Sequence, residues 1–161
     1  MCGEYTYDER AQQALVKSAL EPEWEARFEG NSYGFRPGRS AHDAIVAIWN
    51  ALRYKAKFVL DADISGCFDA INQEELLKKL KTFPQMRQII KAWLKAGVID
   101  NDVFTPTEAG TPQGGVISPL LANIALHGME TAVFCKGKVG QFLTETFTKE
   151  HIDKNEPIPE K

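Results

Sequence analysis

The sequence predicts an α+β fold, and three observations predict it. Residues 57–64 alternate: Phe58, Leu60, Ala62 and Ile64 fall on one face, and Lys57, Val59, Asp61 and Asp63 on the other. Val98-Ile99 and Val103-Phe104 flank Asp100-Asn101-Asp102, the pattern of a small hairpin. Between and around these strands run apolar stripes at helical spacing, so helices outnumber strands.

Taken in order, residues 8–20 read as a helix with Ala11, Ala14, Leu15 and Ala19 along one side, closed near Pro22. Asn31 to Gly38 is a turn shaped by Gly34, Pro37 and Gly38, and it presents Arg36 and Arg39. Guanidinium groups fork onto phosphate oxygens, which makes Arg36 and Arg39 candidate phosphate contacts. Ser40 with Asp43 is a capping box, and Ala41, Ala44, Ile45, Ile48 and Trp49 follow it at core-packing intervals. His42 is a polar residue of that first turn.

The strand at 57–64 comes next and turns through Ser65-Gly66. Two carboxylates at a strand end, Asp61 and Asp63, suit a hard cation; the bland alternative is a pair of solvated acids on an edge strand. Asn72 with Glu75 caps a short helix carrying Leu76, Leu77 and Leu80. After Pro84, a third stripe of Met86, Ile89, Ile90, Trp93 and Leu94 reads as core, ending at Gly97. Past the hairpin, Gly110 to Gly115 permits close backbone approach. Ser118 then caps a helix with Pro119 at its first position and Leu121, Ile124, Ala125 and Met129 on its buried face. From about residue 131 the chain turns polar, and 149–161, with Pro157 and Pro159, has too little to bury and reads as a disordered tail.

Composition narrows the classes. The net charge is -3, so there is no global attraction to nucleic acid. The distribution is uneven: residues 31–60 hold five basic side chains (Arg36, Arg39, Arg53, Lys55, Lys57) against one acid. That patch is either a local phosphate-binding surface or an ordinary mixed one. Cys2, Cys67 and Cys135 are isolated, with neither metal nor redox spacing, which places the chain in a reducing, cytoplasmic compartment. Neither a leader peptide nor an apolar run long enough for a membrane is present, so no membrane partner is expected.

Three blocks together carry a resemblance that none carries singly. They are Tyr33-Gly34-Phe35-Arg36-Pro37-Gly38-Arg39-Ser40; Ala62-Asp63-Ile64 with Phe68-Asp69; and Gly110-Thr111-Pro112-Gln113-Gly114-Gly115 with Ser118 to Ile124. In this order and spacing the chain, over roughly residues 8–130, resembles the reverse transcriptase domain of bacterial group II intron-encoded proteins. The resemblance implies a partial right-hand polymerase fold with helical fingers and an incomplete palm sheet. It divides the chain into a fingers segment (1–56), a palm strand with the first catalytic aspartate (57–72), a helical fingers/palm segment (73–108), a palm loop and helix (109–130) and a divergent tail (131–161).

It also implies roles. Asp63 matches the first catalytic, metal-binding aspartate, and Ile64 the position lending a carbonyl to the metal. Phe68 matches the aromatic gate beneath the incoming sugar, where a ribose 2′-hydroxyl would collide. Gln113 and Gly114 match the loop against the incoming nucleotide, and Arg36 and Arg39 the loop near template and triphosphate. Asp61 and Asp69 have weaker claims as scaffold.

The reaction implied is nucleotidyl transfer by two Mg2+ ions, with RNA and deoxynucleotide as partners. The family's Tyr-x-Asp-Asp pair is missing: after Met129 the sole aspartate is Asp153. The expectation is therefore a truncated reverse transcriptase domain, inactive alone and prone to pair with a full-length relative or with itself. The alternatives are a non-enzymatic, maturase-like RNA-binding module and the product of a decaying element.

Overall fold

The computed structural model describes residues 6–54, 64, 66–96, 98–100, 103–105, 110–111 and 115–134. Asp61, Asp63, Gln113 and Gly114, the strand at 57–64 apart from Ile64, the Gly97 helix stop and residues 135–161 of the tail lie outside the described residues, whereas 131–134 of that segment are helical. The elements are α1 (Tyr7–Glu25), α2 (Ala41–Leu52), α3 (Cys67–Ala70), α4 (Gln73–Leu80), α5 (Pro84–Lys95), β1 (Val98–Asp100), β2 (Val103–Thr105), α6 (Ser118–Leu126) and α7 (Met129–Phe134).

Local chemistry starts these helices where the sequence places them. Thr6 and Glu9 close a reciprocal capping box on α1, and Ser40 and Asp43 one on α2. The Asn72 side chain accepts from the Glu74 and Glu75 amides, at 3.0 and 3.2 Å, and heads α4. Pro84 opens α5, where its missing N–H costs nothing. Pro119 lies one position later in α6 than expected, because Ile117 is the N-cap and Ser118 is already helical and buried.

Three further expectations are corrected. The first concerns fold class. Among the described residues the fold is helical, without a palm sheet, so the α+β expectation does not hold there. β1 and β2 form a two-stranded antiparallel hairpin with Val98 opposite Thr105 and Asp100 opposite Val103. The buried apolar surface comes from helix faces instead. α6 lies against α1, α3 and α4, and α4 packs on α5. Ile71, Leu76, Leu80, Ile90, Leu94, Leu121 and Ile124 fill the space between.

The second correction is Pro22, which sits inside α1 rather than ending it. A proline in a helix interior costs about 3 kcal/mol. Here it precedes only the last turn, which carries Trp24, buried beside Phe28 and His127. Burial of a large aromatic offsets a cost of that size.

The third is α2. Its apolar stripe is where periodicity puts it, but none of its residues is buried: Ile45 is 63% and Trp49 65% exposed. Periodicity says which residues share a face, not whether that face meets a core. None of the described helices is long and apolar enough to cross a membrane.

This packing separates two aromatic and aliphatic stripes that look alike in sequence. Trp49→Ala should change unfolding stability by no more than about 0.5 kcal/mol, as for other exposed positions. Ile90→Ala should cost about 2–5 kcal/mol, since it opens a cavity in the core. Chemical denaturation of the two variants checks the contrast.

Candidate functional site

The site grows from the end of α1. The backbone leaves the helix through Ala26, with Arg27 and Phe28 amides donating to the Trp24 carbonyl, both at 2.9 Å. The chain then turns back over its own helix, and Arg36 ties the turn down. Arg36 Nε donates to both Glu25 carboxylate oxygens (3.0 and 3.1 Å) and Nη2 to Oε2 (2.7 Å). Nη1 donates to the carbonyls of Glu29 (2.8 Å) and Ser32 (3.1 Å). The guanidinium carbon lies 5.0 Å from the Phe28 ring centroid. Only 6% of Arg36 is exposed, and a charge so buried requires this degree of pairing. Every nitrogen of Arg36 is thus committed within the chain.

Arg39 is held differently. Its Nη1 donates to the Gly30 and Ser32 carbonyls, and its guanidinium carbon lies 5.4 Å from the Tyr33 ring centroid. Its Nε and Nη2 meet no acceptor among the described residues, and the side chain is half-buried. Of the two arginines in this loop, Arg39 is the one with guanidinium donors that meet no acceptor among the described residues.

The three sequence blocks converge here. Phe35 meets Phe68 edge-on, with ring centroids 6.5 Å apart and planes at 79°. Asn123 of α6 donates its Nδ2–H to the Gly34 carbonyl at 2.9 Å. The Thr111 amide donates to the Phe68 carbonyl (2.6 Å) and the Gly110 amide to the Ile71 carbonyl (2.7 Å). Gly110 has φ +83°, and a Cβ there would lie 2.5 Å from the Phe68 carbonyl oxygen and 2.6 Å from Asp69 Cα. Only glycine allows this approach of the third block to the second. Buried Gln73 secures it from below, with Nε2 donating to the carbonyls of Leu94 (2.8 Å) and Gly110 (3.1 Å).

Phe68 is half-buried against the core, and the Ile64 carbonyl accepts from the Cys67 amide at 3.2 Å. Among the described residues no group of three His, Cys, Asp or Glu side chains is placed to hold a metal ion. Of Asp63, Ile64, Gln113 and Gly114, only Ile64 is among the described residues, and its carbonyl is the one engaged by Cys67.

A second clamp had no signal in the sequence. Glu29 Oε1 accepts from the Gly128 amide at 2.6 Å, and Oε2 lies 2.9 Å from His127 Nδ1. Lys79 of α4 donates to the Ala125 carbonyl at 2.8 Å and to that of His127, capping the last turn of α6. Burial pulls the Lys79 ammonium down to about 8, against the opposing pull of Glu29. The clamp borders a cleft of about 410 Å3 lined by Glu29, Asn31, Ser32, Asn123, His127 and Glu130, among others. Asn123 lies within the third sequence block, whereas Glu29, Gln73 and His127 belong to no motif. Their partners lie far along the chain, so no local pattern could mark them.

The Glu29 clamp makes a pH prediction. Partial burial would raise its carboxyl pKa, but the hydrogen bonds from His127 and Gly128 win, and the group titrates below its ordinary 4.5. A depressed carboxylate stabilises the fold above 4.5 and ceases to as pH falls below that value. The Gly128 amide should therefore keep its hydrogen-exchange protection down to pH values near 4.5 and lose it below, and Glu29→Gln should remove that step.

Comparison with known proteins follows the same residues. The family described as reverse transcriptase (RNA-dependent DNA polymerase) matches residues 1–136, a longer stretch than 8–130. The chain is 38% identical over 158 residues to the group II intron-encoded protein LtrA of Lactococcus lactis subsp. cremoris, covering 95% of this chain and 26% of that protein. It is 39% identical over 126 residues to protein YkfC of Escherichia coli (74% and 33% covered). It is 31% identical over 134 residues to maturase-like protein 1 of Euglena gracilis (81% and 28% covered). The chain thus spans between 26% and 33% of the length of these relatives.

Proposed function

The chain belongs to the reverse transcriptase (RNA-dependent DNA polymerase) family, of the group II intron-encoded type, and on that premise we propose that it contributes the nucleotide- and template-facing part of an RNA-directed DNA polymerase. The observation that carries the reading is the convergence of the three blocks: Phe35 against Phe68, Asn123 on the Gly34 carbonyl, and Thr111 on the Phe68 carbonyl. Residues 1–56 then serve as fingers, and 57–72 with 109–130 as palm. RNA and a deoxynucleotide are the partners, and the cytoplasm the location.

In this reading Phe68 stands under the sugar of the incoming nucleotide, and Gln113 and Gly114 border its base. Asp63 and the Ile64 carbonyl would hold Mg2+, whose chemistry is to steady charge on the transferring phosphate. Arg39, with donors to spare, contacts phosphate. Arg36 shapes the loop that presents Arg39. Its committed nitrogens support this division of labour.

A binding assay tests the division. Arg39→Ala should weaken single-stranded RNA binding and lower the slope of log K against log salt by about 0.7, the share of one phosphate contact. Arg36→Lys should instead lower the melting temperature, because a lysine cannot serve Glu25 and two carbonyls at once.

A second reading, confined to these 161 residues by themselves, is RNA binding without catalysis, since they contain no Asp-Asp pair. A two-metal site needs several carboxylates. Primer extension by the purified 161-residue chain with Mg2+ and deoxynucleotides should give no product. Extension would show that the carboxylates present suffice.

A further inference from the structure

We infer that Phe35 is a base-stacking residue for single-stranded RNA, and that Asn123 is the positioning residue that holds its ring in place. The inference rests on the RNA-binding reading of this loop and adds a contact to the base, where Arg39 supplies one to the backbone.

Phe35 has φ +55°, the left-handed region. For a bulky L-residue that conformation sets Cβ against the next carbonyl and costs about 1–2 kcal/mol. Burial does not repay the strain, since Phe35 is 71% exposed. The backbone holds it from both sides instead. The preceding residue, Gly34, is fixed through its carbonyl by Asn123 Nδ2 at 2.9 Å. The following residue, Arg36, is anchored by Glu25 and the Glu29 and Ser32 carbonyls.

Strain that the surroundings over-determine marks a side chain kept for what it presents. Phe35 leaves most of its ring open to solvent, with Phe68 packed against it at a near-perpendicular angle. On the same short loop, Arg39 has guanidinium donors left over. An exposed ring next to a phosphate-binding cation is how single strands are held without regard to sequence, because every base has a π-face. An exposed phenylalanine kept merely for packing would gain nothing from a strained backbone.

The experiment measures binding of a short single-stranded RNA by fluorescence anisotropy at fixed salt, beside the same strand carrying one abasic ribose. Phe35→Asn is the informative variant, because asparagine tolerates positive φ. It should melt no lower than the parent yet bind the intact strand about 5- to 150-fold more weakly, the range for one lost stack. On a strand whose stacked base is removed, parent and variant should bind alike. Phe35→Trp should restore binding, and Asn123→Ala should weaken it without adding to the loss in Phe35→Asn.

If Arg39→Ala weakens binding and Phe35→Asn does not, stacking is overturned while the RNA-binding reading stands. If the parent binds no RNA, that reading fails first. If Phe35→Asn lowers the melting temperature and weakens intact and abasic strands equally, the ring is a packing residue and the inference is overturned.

Discussion

A guanidinium taken out of water needs a partner for every nitrogen, and here that requirement falls on Arg36. Glu25, at the end of α1, supplies its charge partner, and the carbonyls of Glu29 and Ser32 supply the rest. Each of those acceptors lies on the chain that Arg36 itself closes off. Satisfying one side chain therefore fixes the exit of α1, the turn at 29–32 and the reversal at 34–38 together. Breaking such a pair leaves an uncompensated buried charge, which is far costlier than losing a surface ion pair. The directions of Phe35 and Arg39 follow from this arrangement.

Around that closed loop, α6 acts as the common wall. Asn123 meets the loop at Gly34, and the turn after the helix meets it again at Glu29. From the other side, Lys79 occupies the carbonyls that the helix end leaves open. Gln73 and the missing side chain of Gly110 bring residues 66–71, which hold α3, up to the same wall. Helix packing supplies the distances, and a few buried polar groups supply the register.

Much of this was legible in the sequence and some was not, for stateable reasons. Capping residues announce helix starts, so Ser40, Asn72 and Pro84 sit at or just before first turns. Stops are weaker signals: Pro22 forbids one hydrogen bond, and a buried Trp24 overrides it. The stripe on α2 shows that an amphipathic pattern is a statement about a face alone, whereas the similar stripe on α5 is buried. The α+β expectation leaned on residues 57–64, and the described core is built from helices. For the site, the three blocks are segments that the fold brings together. They could not tell the arginine whose nitrogens are all engaged from the one with donors to spare, because Arg36 and Arg39 are equivalent until Glu25 is seen beside the first.

The clamp between Glu29 and Gly128 joins residues 99 positions apart, and that between Gly34 and Asn123 joins residues 89 apart. On a ribosome adding about 5–20 residues per second, the loop emerges on the order of 5–20 seconds before its wall. During that interval Arg36 can find Glu25, but Phe35 has nothing to hold it in its strained geometry. The loop is thus sorted in time: its charge lock closes early, from local sequence, and the geometry around Phe35 is set only once α6 has been made. A nascent chain carries the arginines of this site well before it carries the site.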